Sequence, residues 1–175
     1  MCYKIIKESD LSEMSLIEIE DLVKSIPTKL LGDLKYYDLY QPEYSCKGLY
    51  FIESPDGLEL YIGKASSRCV GDRISAHLDS RVPSMLNSLP KKVFRHNNQS
   101  AEITNEILHD VLDAMRNWKV SVLLVESNNS CSLKSLINKV ESLLILDLQP
   151  PKGNCINSTK RTKVVRTDVP IKTIL

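Results

Sequence analysis

The sequence predicts an α+β fold: a small, three-stranded, mainly antiparallel sheet packed by helices, with a helical N-terminal extension and a helical insert. Three observations carry this expectation. First, two runs rich in aromatic and branched residues, Gly48 to Glu53 and Leu58 to Gly63, flank Ser54-Pro55-Asp56-Gly57, the pattern of strands joined by a hairpin turn. Second, Val120 to Val125 is apolar enough to be a buried third strand. Third, Leu133, Leu136, Ile137, Val140, Leu143, Leu144 and Leu148 form one broad apolar stripe, as on a long helix lying on a core. Strands and helices mix without regular alternation, which points to α+β.

Taken in order, residues 1–46 are the helical extension. Ser9-Asp10 or Ser15 is placed to cap a helix in which Leu16, Ile19, Leu22 and Val23 recur at helical spacing. Pro27 interrupts, and Leu30, Leu31, Leu34 and Tyr37 continue a helical pattern until Pro42. Residues 47–157 are the core, beginning with the hairpin over 47–63. A loop carrying Lys64 and Arg68 leads to a helix expected from Asp72 to Ser80. Residues 81–117 are the polar, helical insert, with Ala101 to Trp118 as a long helix. Ser132 is placed to cap the striped helix, which Pro150-Pro151 and Gly153 stop. Residues 158–175 are a basic C-terminal tail, in which Lys160, Arg161, Lys163, Arg166 and Lys172 face only Asp168.

The 175 residues suffice for one sizeable core. Apolar and charged shares of 42% and 26% are those of an ordinary globular protein. A formal net charge of only +1 excludes a uniformly basic nucleic-acid binder, so any nucleic-acid surface must be local. Cys2, Cys46, Cys69, Cys131 and Cys155 are odd in number and widely spaced, with no CxxC. That argues against a disulfide scaffold and against a cysteine zinc site. The N-terminus lacks a signal-peptide core and no apolar run reaches membrane-spanning length, so a cytoplasmic protein without membrane contact is expected.

A turn centred on Pro55-Asp56 pairs Glu53 with Leu58 and places Tyr50 across from Tyr61, their Cβ atoms about 5 Å apart on one sheet face. Gly63 lies on that face and removes bulk beside them. A tyrosine pair of this kind also simply stabilises a hairpin. Arg73 and His77 are spaced i, i+4 and share a helix face. Arg73 is a permanent cation suited to a phosphate oxygen, and His77 can donate, accept or shuttle a proton near neutral pH. The same spacing describes an ordinary surface pair. Glu141 falls beside Ile137, Leu144 and Leu148 on the helical wheel. A carboxylate at the edge of an apolar stripe needs a partner, either a divalent metal or a lysine or arginine. His96 and His109 make no metal cluster and are expected to be structural or solvated.

Together these residues resemble the GIY-YIG nucleases. Gly48-Leu49-Tyr50 stands where that family has Gly-Ile-Tyr, and Tyr61-Ile62-Gly63 matches the second triplet as it stands. Lys64-Ala65 is similar to the repair and restriction branches. Arg73 and His77 look like the arginine and histidine of the family's helical motif. Glu141 resembles its metal-binding glutamate, and Asn154 the asparagine that often follows that helix. The resemblance covers about residues 47–80 and 118–155. Leu49 and the long insert depart from it, and the insert leaves Glu126, Glu102 and Glu106 as alternatives to Glu141.

The resemblance implies a metal-dependent DNA endonuclease with restriction or phage defence as a candidate role. The alternative is a catalytically inactive module of the same kind that binds DNA or protein. An active site of this family would use Mg2+, with Mn2+ as a substitute, held by Glu141. Tyr50 would activate water, directly or with His77, Arg73 would hold the scissile phosphate, Tyr61 would orient water or phosphate, and Asn154 would buttress the site. Lys64, Arg68, Lys160 and Arg161 are candidate substrate-binding cations. Cutting both strands would call for a homodimer or repeated binding, and a defence role would imply a protein partner.

Overall fold

The computed structural model describes residues 2–39, 41, 46–79, 88–97, 102–148, 155–157 and 168–174. In chain order the elements are β1 (Tyr3–Lys7), α1 (Glu8–Glu13), α2 (Leu16–Lys24), β2 (Lys29–Leu30), α3 (Tyr36–Leu39), β3 (Lys47–Glu53), β4 (Leu60–Ala65), α4 (Val70–His77), α5 (Ser88–Asn97), α6 (Asn105–Ala114), β5 (Lys119–Glu126), α7 (Ser130–Asp147) and α8 (Ile171–Ile174).

The fold is α+β, but the sheet is five-stranded and mixed rather than three-stranded. Its order is β1-β5-β3-β4, with β2 also paired to β5. The three expected strands are present, with β3 between β4 and β5 and antiparallel to both. The extension adds the other two. Tyr3–Lys7 pairs in parallel with Val122–Glu126, and Lys29–Leu30 pairs antiparallel with Lys119 and Val120. One edge of β5 is therefore covered by two short strands in succession, where the sequence reading placed only helices. An apolar strand such as β5, whose six interior residues are all buried, needs hydrogen-bonded neighbours on both edges and packing on both faces. The segment from Leu30 to Tyr37, expected to continue a helix, instead joins the sheet at Leu30 and turns through a short 3-10 helix at Leu31–Asp33. The Leu31 N–H donates to the Trp118 carbonyl at 2.8 Å, which ties it there.

Local signals decide the helix starts. Ser15 caps α2 through a reciprocal box: its Oγ accepts from the Glu18 N–H, and its own N–H donates to Glu18 Oε2 at 2.7 Å. Helix α4 begins earlier than Asp72 because Cys69 Sγ accepts from the Asp72 N–H. The expected helix from Ala101 shortens to α6, capped by Thr104 Oγ1. Asn129 rather than Ser132 caps α7, its Oδ1 accepting from the Cys131 and Ser132 N–H groups.

The hairpin closes in a different register from the one expected. Glu53 pairs with Leu60, Ile52 with Tyr61 and Tyr50 with Gly63. Side-chain bonding makes the loop longer. Asp56 Oδ1 accepts from the Leu58 N–H at 3.0 Å, Ser54 Oγ accepts from the Glu59 N–H at 2.9 Å, and Gly57 takes φ 71°. The shift is two residues, an even number, so every side chain keeps its face.

Both faces of the sheet are covered. Leu49, Phe51, Ile62, Leu123 and Val125 pack beneath α1, α2 and α7. Tyr50, Ile52, Tyr61, Val122 and Leu124 pack on the opposite face with Val70 and Ile74 of α4 and Leu89 and Val93 of α5. The last described segment returns to the N-terminal helices. Ile171 is fully buried, its N–H donates to the Met14 carbonyl, and Lys172 pairs with Glu13. Lys172 is thus an ion-pair partner of α1 rather than a free cation of a basic tail. Among the described residues, no helix is long and apolar enough to cross a membrane.

Candidate active site

The face of the β3–β4 hairpin that looks toward α4 and α5 gathers most of the expected chemistry. Tyr50 and Tyr61 are diagonal neighbours rather than directly opposed, with ring centroids 6.2 Å apart. The residue opposite Tyr50 is Gly63, and its missing side chain is what lets the Tyr50 ring lie flat on the strand. A Cβ on Gly63 would stand 2.1 Å from Tyr50 Cζ. Gly48 serves the neighbouring strand: a Cβ there would meet the Leu123 carbonyl oxygen at 2.1 Å. Both glycines of the two triplets are therefore required by close approach.

His77 completes the cluster from the last turn of α4. Its ring centroid is 5.6 Å from that of Tyr50 and 5.4 Å from that of Tyr61. Its Nε2 lies 2.6 Å from Tyr50 Oη, and its Nδ1 accepts from the Leu89 N–H at 3.3 Å. Leu89 is in the first turn of α5, where backbone N–H groups lack helical partners. His77 supplies one. Burial, then the nearby cations Arg73 and Lys92, push the His77 pKa down to about 3. The ring is neutral near pH 7, and an Nδ1 that accepts leaves the proton on Nε2. His77 therefore donates to the Tyr50 oxygen. It does not shuttle protons by titrating near neutral pH in this state.

Tyr50 is fully buried, and burial pushes its phenol well above the ordinary tyrosine range. Tyr61 acts in the same direction, while the Arg73 guanidinium opposes both. Arg73 is thus a cation near enough to Tyr50 to favour its ionised form. Arg68 is exposed on the loop between β4 and α4.

Glu141 approaches from the other side of the sheet. Alternation along β4 turns Tyr61 toward α5 and Lys64 toward α7. There Lys64 Nζ meets Glu141 Oε2 at 2.7 Å. The predicted residues thus fall into two groups that meet at the β4 edge: Tyr50, Tyr61, Arg73 and His77 on one face, Lys64 and Glu141 on the other. Among the described residues, no three or more His, Cys, Asp or Glu side chains converge as a ready metal site. A metal here would rest on Glu141 alone, with water and substrate oxygens completing its shell, an arrangement magnesium accepts. The carboxylate fits that role in one respect, since it already holds a cation, the Lys64 ammonium, that a metal would have to displace. Of the alternative carboxylates, Glu126, Glu102 and Glu106 are exposed.

Asn154, Lys160 and Arg161 lie outside the described residues. An asparagine that the sequence reading passed over is bonded to the hairpin. Asn157 is buried; its Oδ1 accepts from the Ile62 N–H and its Nδ2 donates to the Ile62 carbonyl, both at 2.8 Å. It thereby satisfies the outer edge of β4 in the middle of Tyr61-Ile62-Gly63. The alternating burial of Cys155, Ile156 and Asn157 has no local sequence signature strong enough to mark it. Lys92 was also missed. Its Nζ stands 5.4 Å from the Tyr61 ring centroid. Its spacing of three from Leu89 puts it on the inward face of α5, a signal that depends on the helix starting at Ser88. His96, near Glu59, and His109, near Asp113, are exposed and outside the cluster.

No protein-family model, no curated protein and no solved structure matches this chain.

Proposed function

We propose that the protein is a metal-dependent DNA endonuclease with a GIY-YIG-like core formed by β3, β4, β5, α4 and α7. The observation that carries this reading is the convergence of Tyr50, Tyr61 and His77 on one hairpin face, with the Tyr50 ring seated over Gly63 and the Arg73 charge acting on Tyr50 and His77. What supports the likeness of the second triplet is that Gly63 makes room for the Tyr50 ring, while Gly48 of the first makes room for the backbone of β5.

In this reading Arg73 holds a non-bridging phosphate oxygen and favours the Tyr50 phenolate. The His77 Nε2–H holds the Tyr50 oxygen in place and supports negative charge on it. Tyr50 receives the proton of the attacking water, and Tyr61 orients that water. Magnesium bound at Glu141 would polarise the phosphate and neutralise the leaving oxygen. Lys64, if a metal took its place at Glu141, would be available to the DNA backbone.

A second reading is favoured by two specific observations. Tyr50 is closed off from solvent and Glu141 is paired with Lys64, as a binding module without catalysis would allow. Incubation of supercoiled plasmid with the protein and MgCl2 or MnCl2 separates the two. The nuclease reading expects nicking or linearisation by wild type, lost in Glu141→Ala and Arg73→Ala with DNA binding retained. DNA binding without cleavage under either metal supports the module.

A further inference from the structure

We propose that Lys92 of α5 is a phosphate-contacting residue of the site, so that the insert completes the active site rather than merely decorating it. The proposal rests on the nuclease reading for the nature of its substrate, a nucleic-acid phosphodiester.

Helix α5 is locked over the tyrosine cluster at three points. The Leu89 N–H donates to His77 Nδ1, and the Leu89 and Val93 side chains are buried in the same core as Tyr50 and Tyr61. Lys92 lies on this inward face, and its ammonium stands over the Tyr61 ring. It is the cation that links the two halves of the site: it acts electrostatically on His77 on one side and on Glu141 and Cys155 on the other. Glu141 favours its charged form from a distance, but the close partner of that carboxylate is Lys64, at 2.7 Å. Among the described residues Lys92 has no ion pair or hydrogen bond, only the ring contact. Burial of this ammonium disfavours its charged form, and Cys155 and Glu141 offset only part of that cost. An anion arriving at the β4 edge relieves that deficit, with Arg73 serving the same anion from the Tyr50 side. The bland competitor is a snorkelling lysine whose stem covers Tyr61 while its head stays in water.

The test uses the full chain in EDTA, so that no cleavage intervenes. Binding of a short fluorescent single-stranded oligodeoxynucleotide is measured across a salt series for wild type, Lys92→Met, Lys92→Gln and Lys92→Arg. Inorganic phosphate serves as competitor and as a separate probe of the His77 ring resonances. The proposal expects about tenfold weaker binding for Lys92→Met and Lys92→Gln, with the log K against log salt slope shallower by about 0.7, the increment of one phosphate contact on a single strand. Lys92→Arg keeps both affinity and slope. Having two neutral variants guards against one that fails to fold, and a purely structural role would not move the slope. Wild-type binding that is unchanged in both neutral variants overturns the Lys92 assignment and leaves the nuclease reading standing. A Lys92-dependent response to inorganic phosphate without oligonucleotide binding keeps Lys92 as a phosphate ligand and removes the nucleic acid. No response to either probe overturns both.

Discussion

The Tyr50 ring lies against the backbone of Gly63, so closely that Cζ, Cε2 and Oη would all come within 2.3 Å of a Cβ placed there. The obstacle is a buried aromatic ring, not a flexible chain end. Gly63→Ala is expected to destabilise the protein by about 1–3 kcal/mol, the usual penalty of overpacking. Urea denaturation of Gly63→Ala, Tyr50→Leu and the double variant checks the cause. If the clash is with Tyr50, the double variant loses less than the sum of the singles. Additivity would place the strain elsewhere.

Tyr50→Phe keeps the ring and removes only the oxygen. His77 Nε2–H then faces a buried gap, and a lost partner of this kind costs about 1–3 kcal/mol. Stability should fall by that amount in urea. Under the proposed function, plasmid cleavage falls to background while DNA binding persists. Cleavage at the wild-type rate would take Tyr50 out of the chemistry.

His77 makes the stability of the fold depend on pH in a definite direction. Its pKa is about 3 when folded, against an ordinary value of 6.5. Between those values the unfolded chain binds the proton and the native protein does not, so stability falls as pH drops from 6.5 toward 3. At the low end the loss is on the order of 4 kcal/mol, taking about 1.4 kcal/mol per pKa unit. Carboxylates add their own terms, so the readout is the difference between wild type and His77→Gln in urea titrations at stepped pH. The gap between the two should shrink with acid. Parallel curves would mean that His77 is not held neutral by burial.

Asn157 is expected to matter more than its position after the last core helix implies. Asn157→Ala leaves both polar backbone groups of Ile62 without their side-chain partner at a buried strand edge. Each such loss costs about 1–3 kcal/mol. The Ile62 amide should also exchange with solvent much faster than its neighbours, as read by hydrogen-exchange NMR. Unchanged protection of that amide would show that the bridge is dispensable.

Much of this site was legible in one dimension. The hairpin, the i, i+4 spacing of Arg73 and His77, and the stripe of α7 each depend on short-range periodicity, and each is found. The wrong hairpin register did little harm, because a slip of two preserves faces; it did, however, misidentify the partner of Tyr50, which is Gly63. The register was set by Ser54 and Asp56 side chains bonding to loop N–H groups, a choice between loop lengths that the strand pattern does not encode.

The sequence by itself determined which residues share a face, where α2, α4, α6 and α7 begin within a few residues, and that two tyrosines, a histidine and an arginine lie close along one hairpin and its following helix. Tertiary structure alone decided the rest. Tyr3–Lys7 became a strand because β5 needed a hydrogen-bonded edge. Glu141 found Lys64 across a strand whose alternation turned both to the same side. Asn157 reached Ile62, ninety-five residues away in the chain. α5 delivered Leu89 to His77 and Lys92 to Tyr61. Periodicity reports the direction a side chain takes from its own element. Which element stands in that direction is a property of long-range packing and the satisfaction of buried polar groups, and only the folded chain supplies it.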